Sequence, residues 1–225
     1  AGMRCKATPD GSDYILNGTK YWVTNGGYAD YASIFATADP KLRHNGIVGL
    51  LVDTKWKGVS ILNHIPKMGQ RSSNTVAIKF DNVRVPAENV LAKEGGDGFK
   101  LAMQTFSHTR PMIGAFAIGA ARSAMEFAMQ YAINRQAFGQ SIGMFQGIQF
   151  KIAEMFQKVE TSRLMVWRSC WEADQDRDCT LWASMTKFWT TEAALEVAND
   201  ALQILGGYGY TKYFPVEKYL RDIRL

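Results

Sequence analysis

Tyr21-Trp22-Val23-Thr24-Asn25-Gly26-Gly27 places a large aromatic, a hydroxyl two positions later and a turn in immediate succession. On a β-strand, residues i and i+2 face the same side. Trp22 and Thr24 then offer a flat apolar plate and a hydrogen-bonding hydroxyl to one ligand, and Asn25-Gly26-Gly27 turns the backbone away. A flat heteroaromatic with an edge nitrogen, such as a flavin, suits that pair. The plainer reading is a Trp packed in a barrel core beside a Thr chosen for β-propensity.

The residues around this stretch read as β structure across 1–93. Asn17-Gly18 lies between two β-prone runs and predicts a hairpin, because both residues tolerate positive φ. Tyr31–Thr37, Gly46–Asp53 and Gly58–Leu62 read as strands, with a loop over Pro40–Asn45. A polar turn follows Pro66, and Val76–Phe80 and Val83–Pro86 complete the set. Short strands separated by turn residues predict a small antiparallel barrel or sandwich. His44 and His64 fall in or beside loops without a ligand-spaced partner, so they read as surface residues.

Residues 94–225 read as helices, making the chain α+β with an antiparallel helical bundle after the β domain. Glu94-Gly95-Gly96-Asp97-Gly98 predicts a hinge-like junction. A long helix runs from Phe99 to about Asn134, with Pro111 expected to kink or interrupt it. A loop spans Arg135–Gly143. Helices follow from about Phe145 to Asp174 and from about Leu181 to Leu205, the latter stopped by Gly206-Gly207. A fourth starts at Pro215 and is expected to be still running at Leu225. Short connections between long helices predict a bundle. Trp167, Trp171, Trp182 and Trp189 read as core or interface residues.

Composition bounds the function. The 225 residues are 47% hydrophobic and 21% charged, with a net charge of +5. The basic residues are scattered rather than clustered, so no nucleic-acid footprint is expected and acidic small molecules are the favoured partners. Cys5, Cys170 and Cys179 fit no metal spacing, and a reducing compartment is the default. No apolar run approaches the roughly 18 residues of a membrane span. The opening Ala1-Gly2-Met3 looks like an internal segment of a longer protein.

Taken in order, Trp-Val-Thr-Asn-Gly (22–26), Thr109-Arg110-Pro111, Arg135-Gln136-Ala137-Phe138-Gly139, Gln203-Ile204-Leu205-Gly206-Gly207-Tyr208-Gly209, Pro215-Val216-Glu217-Lys218 and Arg221-Asp222 resemble the acyl-CoA dehydrogenase family, most closely its medium-chain type. The resemblance implies FAD as cofactor. Trp22, Val23 and Thr24 match the strand against the flavin ring, with Trp22 over a ring face and Thr24 bonding near its N5. Arg135 matches the arginine that meets the FAD pyrophosphate, with Phe138 packing nearby. Phe145, Gln146, Gln203, Gly206 and Gly207 match segments that hold the adenosine half of FAD from a neighbouring subunit. Taken singly, Arg135 reads as a solvated loop cation and Gly206-Gly207 as a helix stop.

Ser107, Thr109 and Arg110 match the part of the first bundle helix that lines the acyl-CoA site. Ser107 stands where the medium-chain type has Asp. Thr109 stands where some members place their catalytic Glu, and a threonine cannot serve as that base. The resemblance therefore implies no catalytic base among these 225 residues. The base would be the Glu of the family's Tyr-Glu-Gly-Thr segment, after Arg-Asp and beyond Leu225. Glu154, Glu160 and Glu192 read as solvated or paired, and Glu94 is an outside candidate. The family's N-terminal helical domain and its flavin loop would precede Ala1.

The reaction implied is α,β-dehydrogenation of an acyl-CoA thioester: a carboxylate removes the α-proton while the β-hydrogen leaves as hydride to the flavin. Electron-transfer flavoprotein would receive the electrons, the protein would be a dimer of dimers, and the mitochondrial matrix or a bacterial cytoplasm would house it. The rival readings are an acyl-CoA oxidase that uses oxygen and a flavin-free scaffold on the same fold.

Overall fold

A computed structural model describes residues 2–224. The chain forms two compact units, Ala1–Lys67 with Arg71–Thr105, and Met68–Gln70 with Phe106–Leu225.

Seven strands build the first unit: β1 (Lys6–Asp10), β2 (Asp13–Thr24), β3 (Tyr31–Thr37), β4 (Ile47–Asp53), β5 (Val59–His64), β6 (Thr75–Val85) and β7 (Val90–Ala92). They form one sheet in the order β5-β6-β2-β1-β3-β4-β7. Neighbours pair antiparallel except β1 and β3, which run parallel. Leu16, Ile34, Leu50, Ile78 and Phe80 meet in a single core. Strands far apart in the sheet order share that core, so the sheet rolls around it. Buried and less buried residues alternate at the start of β2, whereas β4 is an almost continuous apolar run that is buried nearly throughout.

The longest pairing, β2 with β6, contains two bulges of opposite sense. Leu16 pairs with Val83 and Gly18 with Phe80, which leaves one extra residue on β6. Lys20 pairs with Ile78 and Val23 with Val76, which leaves one extra residue on β2. The second bulge cancels the register shift of the first. Asn82 marks the first, with φ of 51°, and Trp22 marks the second, with φ of 63°.

Asn17-Gly18 therefore makes no hairpin; β2 passes straight through it. Asn17 instead secures the bulge opposite: its Oδ1 accepts the Asn82 N–H at 2.8 Å. Gly18 has φ of 127°, and a Cβ there would lie 2.9 Å from the Cα of Cys5, the residue just before β1. The glycine is needed for close approach and backbone angle within a strand. The real hairpin is the two-residue loop Gly11-Ser12 between β1 and β2. The runs read as Val76–Phe80 and Val83–Pro86 are one strand bent at Asn82.

The glycine-rich junction after β7 is not a free hinge. The Gly95 N–H donates to Asn45 O at 2.7 Å. Buried Tyr14 of β2 donates its hydroxyl to Glu94, and burial followed by that bond pushes its pKa up to about 12.

The helices are α1 (Asp97–Asn134), α2 (Gln146–Asp174), α3 (Thr180–Leu205) and α4 (Val216–Ile223). Between α1 and α2 lies a small hairpin of β8 (Gln136–Ala137) and β9 (Gln140–Ser141). Whether the last helix still runs at Leu225 lies outside the described residues. Pro111 does not interrupt α1. A proline offers no N–H to the carbonyl four residues back, here that of Ser107. That carbonyl faces the Cys179 thiol at 3.9 Å, just before α3.

The second core is built from small and flexible residues, among them Ala124, Ala128, Met155, Val159, Val197 and Ala198. The tryptophans are not in it: Trp167, Trp171 and Trp189 are exposed, and Trp182 is half-buried. Close helix approach leaves no room for indoles in the seam. Instead the Arg168 guanidinium lies 5.0 and 4.9 Å from the ring centres of Trp171 and Trp182, and its Nε donates to buried Glu172 at 2.8 Å.

Gly18→Ala is expected to lower unfolding free energy by about 1–3 kcal/mol, measured by urea denaturation. The raised Tyr14 pKa has a definite sign. Its neutral form is favoured in the fold, so its contribution is complete below pH 10 and is lost as pH rises towards 12. Tyr14→Phe is expected to flatten the alkaline fall in stability between those values relative to wild type.

Candidate functional site

On the first unit, the bulge at the end of β2 decides what faces outward. It breaks strict alternation, so Tyr21 and Trp22 both point to solvent, with exposures of 64% and 69%. Val23 returns to the interior and packs against the β core, while Thr24 is exposed. Trp22 is thus no barrel-core residue. The indole and the Thr24 hydroxyl stand on the outer surface, one residue either side of an inward anchor. The following turn is held by a residue the sequence reading passed over. Asn74, itself buried, accepts the Asn25 N–H through its carbonyl at 2.9 Å and the Gly27 N–H through Oδ1 at 2.8 Å.

On the second unit, Arg135, Gly206 and Gly207 line one cavity of about 460 Å³ with Tyr131, Ile142 and Tyr208. These three sequence candidates, far apart in the chain, are brought together by the end of α1 and the end of α3. The Arg135 guanidinium lies 5.9 Å from the Tyr208 ring centre. Among the described residues no carboxylate pairs with Arg135, so its cation is left for an external anion. Tyr208 was readable only as part of a glycine run; its ring faces the arginine.

The glycines of that run differ. Gly209 is buried, and a Cβ there would fall 2.3 Å from Leu202 O. Around Gly207 no atom lies within 4 Å of such a Cβ, and its φ is outside the left-handed region. The fold does not demand glycine at 207. A group approaching the backbone closely from the cavity would demand it. Gly206 has φ of 57° and donates its N–H to the carbonyl of exposed Gln203, closing α3.

Phe138 sits at the tip of the β8–β9 hairpin with φ of 54°, followed by Gly139 with φ of 84°. Its ring is 96% exposed and meets Phe145 edge-on at 6.2 Å between centres. An aromatic residue held in the left-handed region and almost fully in solvent has only that edge contact to set against the strain. Half-buried Phe145 caps α2, and Gln146 opens the helix, exposed.

The three residues on α1 diverge. Ser107 is buried, with its hydroxyl 3.3 Å from that of Thr180. Thr109 is exposed, and Arg110 donates to Ser184 Oγ at 3.1 Å. Phe106, Ile113 and Phe116 are exposed at helical spacing on α1 and were not singled out from sequence. Their signal was there: α1 carries this second apolar stripe besides the alanine seam that enters the core. The outside candidate Glu94 accepts the Tyr14 hydroxyl, and Glu160 pairs with Arg163 at 3.0 Å.

A cavity of about 820 Å³ lies elsewhere on the first unit, beside Trp56, Asn82 and Arg84, and contains none of the sequence candidates. Of its two cations, Lys57 and Arg84, the arginine is ion-paired with Asp10 and with Asp13, the latter at 2.9 Å. Sequence candidates are thus found in two places, each described by itself: the Arg135 cavity of the second unit and the β2 surface of the first. No described helix is long and apolar enough to cross a membrane.

Two family models match the chain: the acyl-CoA dehydrogenase middle domain over residues 1–83 and the acyl-CoA dehydrogenase C-terminal domain over residues 96–225. Among curated relatives, a probable acyl-CoA dehydrogenase, fadE25, of Mycobacterium leprae is 41% identical over 226 aligned positions, covering 100% of this chain and 58% of that protein. The mitochondrial short-chain specific acyl-CoA dehydrogenase of Rattus norvegicus is 39% identical, over 97% of this chain and 53% of its own length. The solved butyryl-CoA dehydrogenase of Megasphaera elsdenii superposes with a TM-score of 0.96 at 35% identity, covering 99% of this chain and 58% of that one. The chain thus spans little more than half the length of the relatives it matches.

Gly207→Ala is expected to leave stability unchanged or to raise it by up to about 1 kcal/mol. Gly209→Ala is expected to destabilise, because its Cβ meets backbone. Thermal denaturation of the two variants separates a glycine kept for the fold from one kept for the cavity.

Proposed function

The chain belongs to the acyl-CoA dehydrogenase family, and from that membership we propose that the whole protein uses FAD to remove the α- and β-hydrogens of an acyl-CoA thioester. The observation that carries the reading is the cavity on the helical unit. An unpaired arginine and a glycine the fold does not need face one space there, as a pyrophosphate-bearing cofactor requires. The residues fit FAD on each unit separately. Trp22 offers the plate for a ring face and Thr24 the hydroxyl for the ring edge. Arg135 meets the pyrophosphate. Gln203, Gly206 and Gly207, with Phe138, Phe145 and Gln146, receive the adenosine half of a neighbouring subunit's cofactor, which makes the assembly an obligate oligomer, a dimer of dimers in our reading. The strained, solvent-facing Phe138 suits that role, since such a ring is covered only by something outside its own chain.

When bound, FAD supplies the hydride acceptor. The chain's own residues bind and orient. We assign Arg110, whose guanidinium donates to Ser184 Oγ, to the support of the catalytic carboxylate, and the apolar stripe of Phe106, Ile113 and Phe116 suits an acyl chain. Thr109 supplies no base. Glu94 is engaged by Tyr14, and we assign the α-proton to a glutamate downstream of Arg221-Asp222 in the whole protein. The thioester α-proton is too weakly acidic for a solvated carboxylate, so that glutamate must work in a site closed to water. We further propose 1–93 and 94–225 as the domain limits, electron-transfer flavoprotein as acceptor, and a mitochondrial matrix or bacterial cytoplasm as location.

Anaerobic flavin absorbance tests this. Full-length protein reconstituted with FAD is expected to bleach on adding octanoyl-CoA, and the 225-residue chain to turn yellow without bleaching. Bleaching of the short chain would place a base within it and return Glu94 to consideration. Rapid peroxide formation in air without another acceptor would reassign the protein as an oxidase.

A further inference from the structure

Met68–Gln70 count with the helical unit, where they lie against the last turn of α4. A Cβ at Gly69 would fall 2.1 Å from Arg221 O and 2.8 Å from Asp222 Cα, so only glycine lets these backbones meet. The Gln70 N–H donates to Asp222 Oδ1 at 2.6 Å, and Gln70 Nε2 donates to Asp222 O at 3.1 Å. Arg221 Nη1 donates to Met68 O at 2.8 Å. Lys218 donates to the other oxygen of Asp222. Gln70 takes φ of 46° to complete this set.

An aspartate is a poor choice for α4 itself. Asp222 is nearly buried, 9% exposed, and a buried anion is costly unless it is paired. Burial alone would raise its pKa; the Lys218 and Gln70 bonds and the Lys218 and Arg221 charges outweigh it and hold the carboxyl below its usual range. The carboxylate is explained by what it grips rather than by the helix that carries it.

We propose that Asp222 is a positioning residue: by holding α4 against Gly69 and Gln70 it fixes the path of the chain towards the catalytic carboxylate. This rests on the functional reading above, which puts the base downstream of Asp222. Misplacing a reacting group by about 1 Å can slow its step by about a hundredfold.

The test is stopped-flow flavin bleaching by octanoyl-CoA in the full-length, FAD-loaded enzyme. Asp222→Ala is expected to slow bleaching by roughly ten- to a hundredfold, with unchanged FAD content and unchanged acyl-CoA affinity. Asp222→Asn keeps an oxygen for the Gln70 N–H while losing the charge facing Lys218; it is expected to fall between Ala and wild type, and it carries the test if Asp222→Ala does not fold. Val197→Ala, which hollows the bundle core, serves as the control: it should lower Tm and leave the bleaching rate alone. Bleaching at the wild-type rate in both Asp222 variants, or slowing no greater than in the control, overturns the positioning role. Failure of the wild type to bleach overturns instead the functional reading beneath it.

Discussion

The paired bulges of β2 and β6 are the constraint from which the outward face of the β unit follows. One bulge moves the two strands out of step at Asn82, and the other restores step at Trp22. A one-residue slip reverses which side chains face the core, so the stretch between the bulges is set one residue off from its flanks. Because of the second slip, Val23 lands inside while Tyr21 and Trp22 both land outside. The length of that stretch is therefore fixed more tightly than its composition. One residue added or lost there would bring the indole inward and turn Val23 to solvent, whereas substitutions that keep the count leave the alternation intact.

Much of the architecture was legible because burial leaves a periodic mark. Tyr31–Thr37 was read to the residue, and the helices to within a residue or two, from apolar spacing and from stops such as Gly206-Gly207. The misreadings share one cause: a local signal had a tertiary purpose. Asn17-Gly18 has the chemistry of a turn, but its glycine answers to Cys5 just before β1 and its asparagine to Asn82 on β6. Of the two places expected for the tryptophans, core and interface, the bundle core holds none of them, and Trp171 and Trp182 lie against Arg168.

The candidate site was legible as residue types and illegible as surroundings. Trp22 and Thr24 were identified from a strand rule that the bulge then modified without changing the outcome. Arg135 and Gly207 were identified by their place in an ordered set of motifs, while Tyr208 and Ile142, which share their cavity, carry no local mark. Asn74 also escaped notice, because a buried asparagine whose work is to hold a turn 47 residues away leaves nothing periodic in the sequence. Ser107 shows the reverse: a position singled out from sequence whose hydroxyl is directed inward, towards Thr180.

Pro111 ties the completion of one helix to the arrival of another. Until the Cys179 segment is in place, the Ser107 carbonyl has no partner from its own helix and must stay hydrated or let the turn fray. The middle of α1 thus has weaker autonomous helicity than its alanine content suggests. Secondary and tertiary structure form together at this point, and the order of folding events in the bundle is written into a single missing N–H.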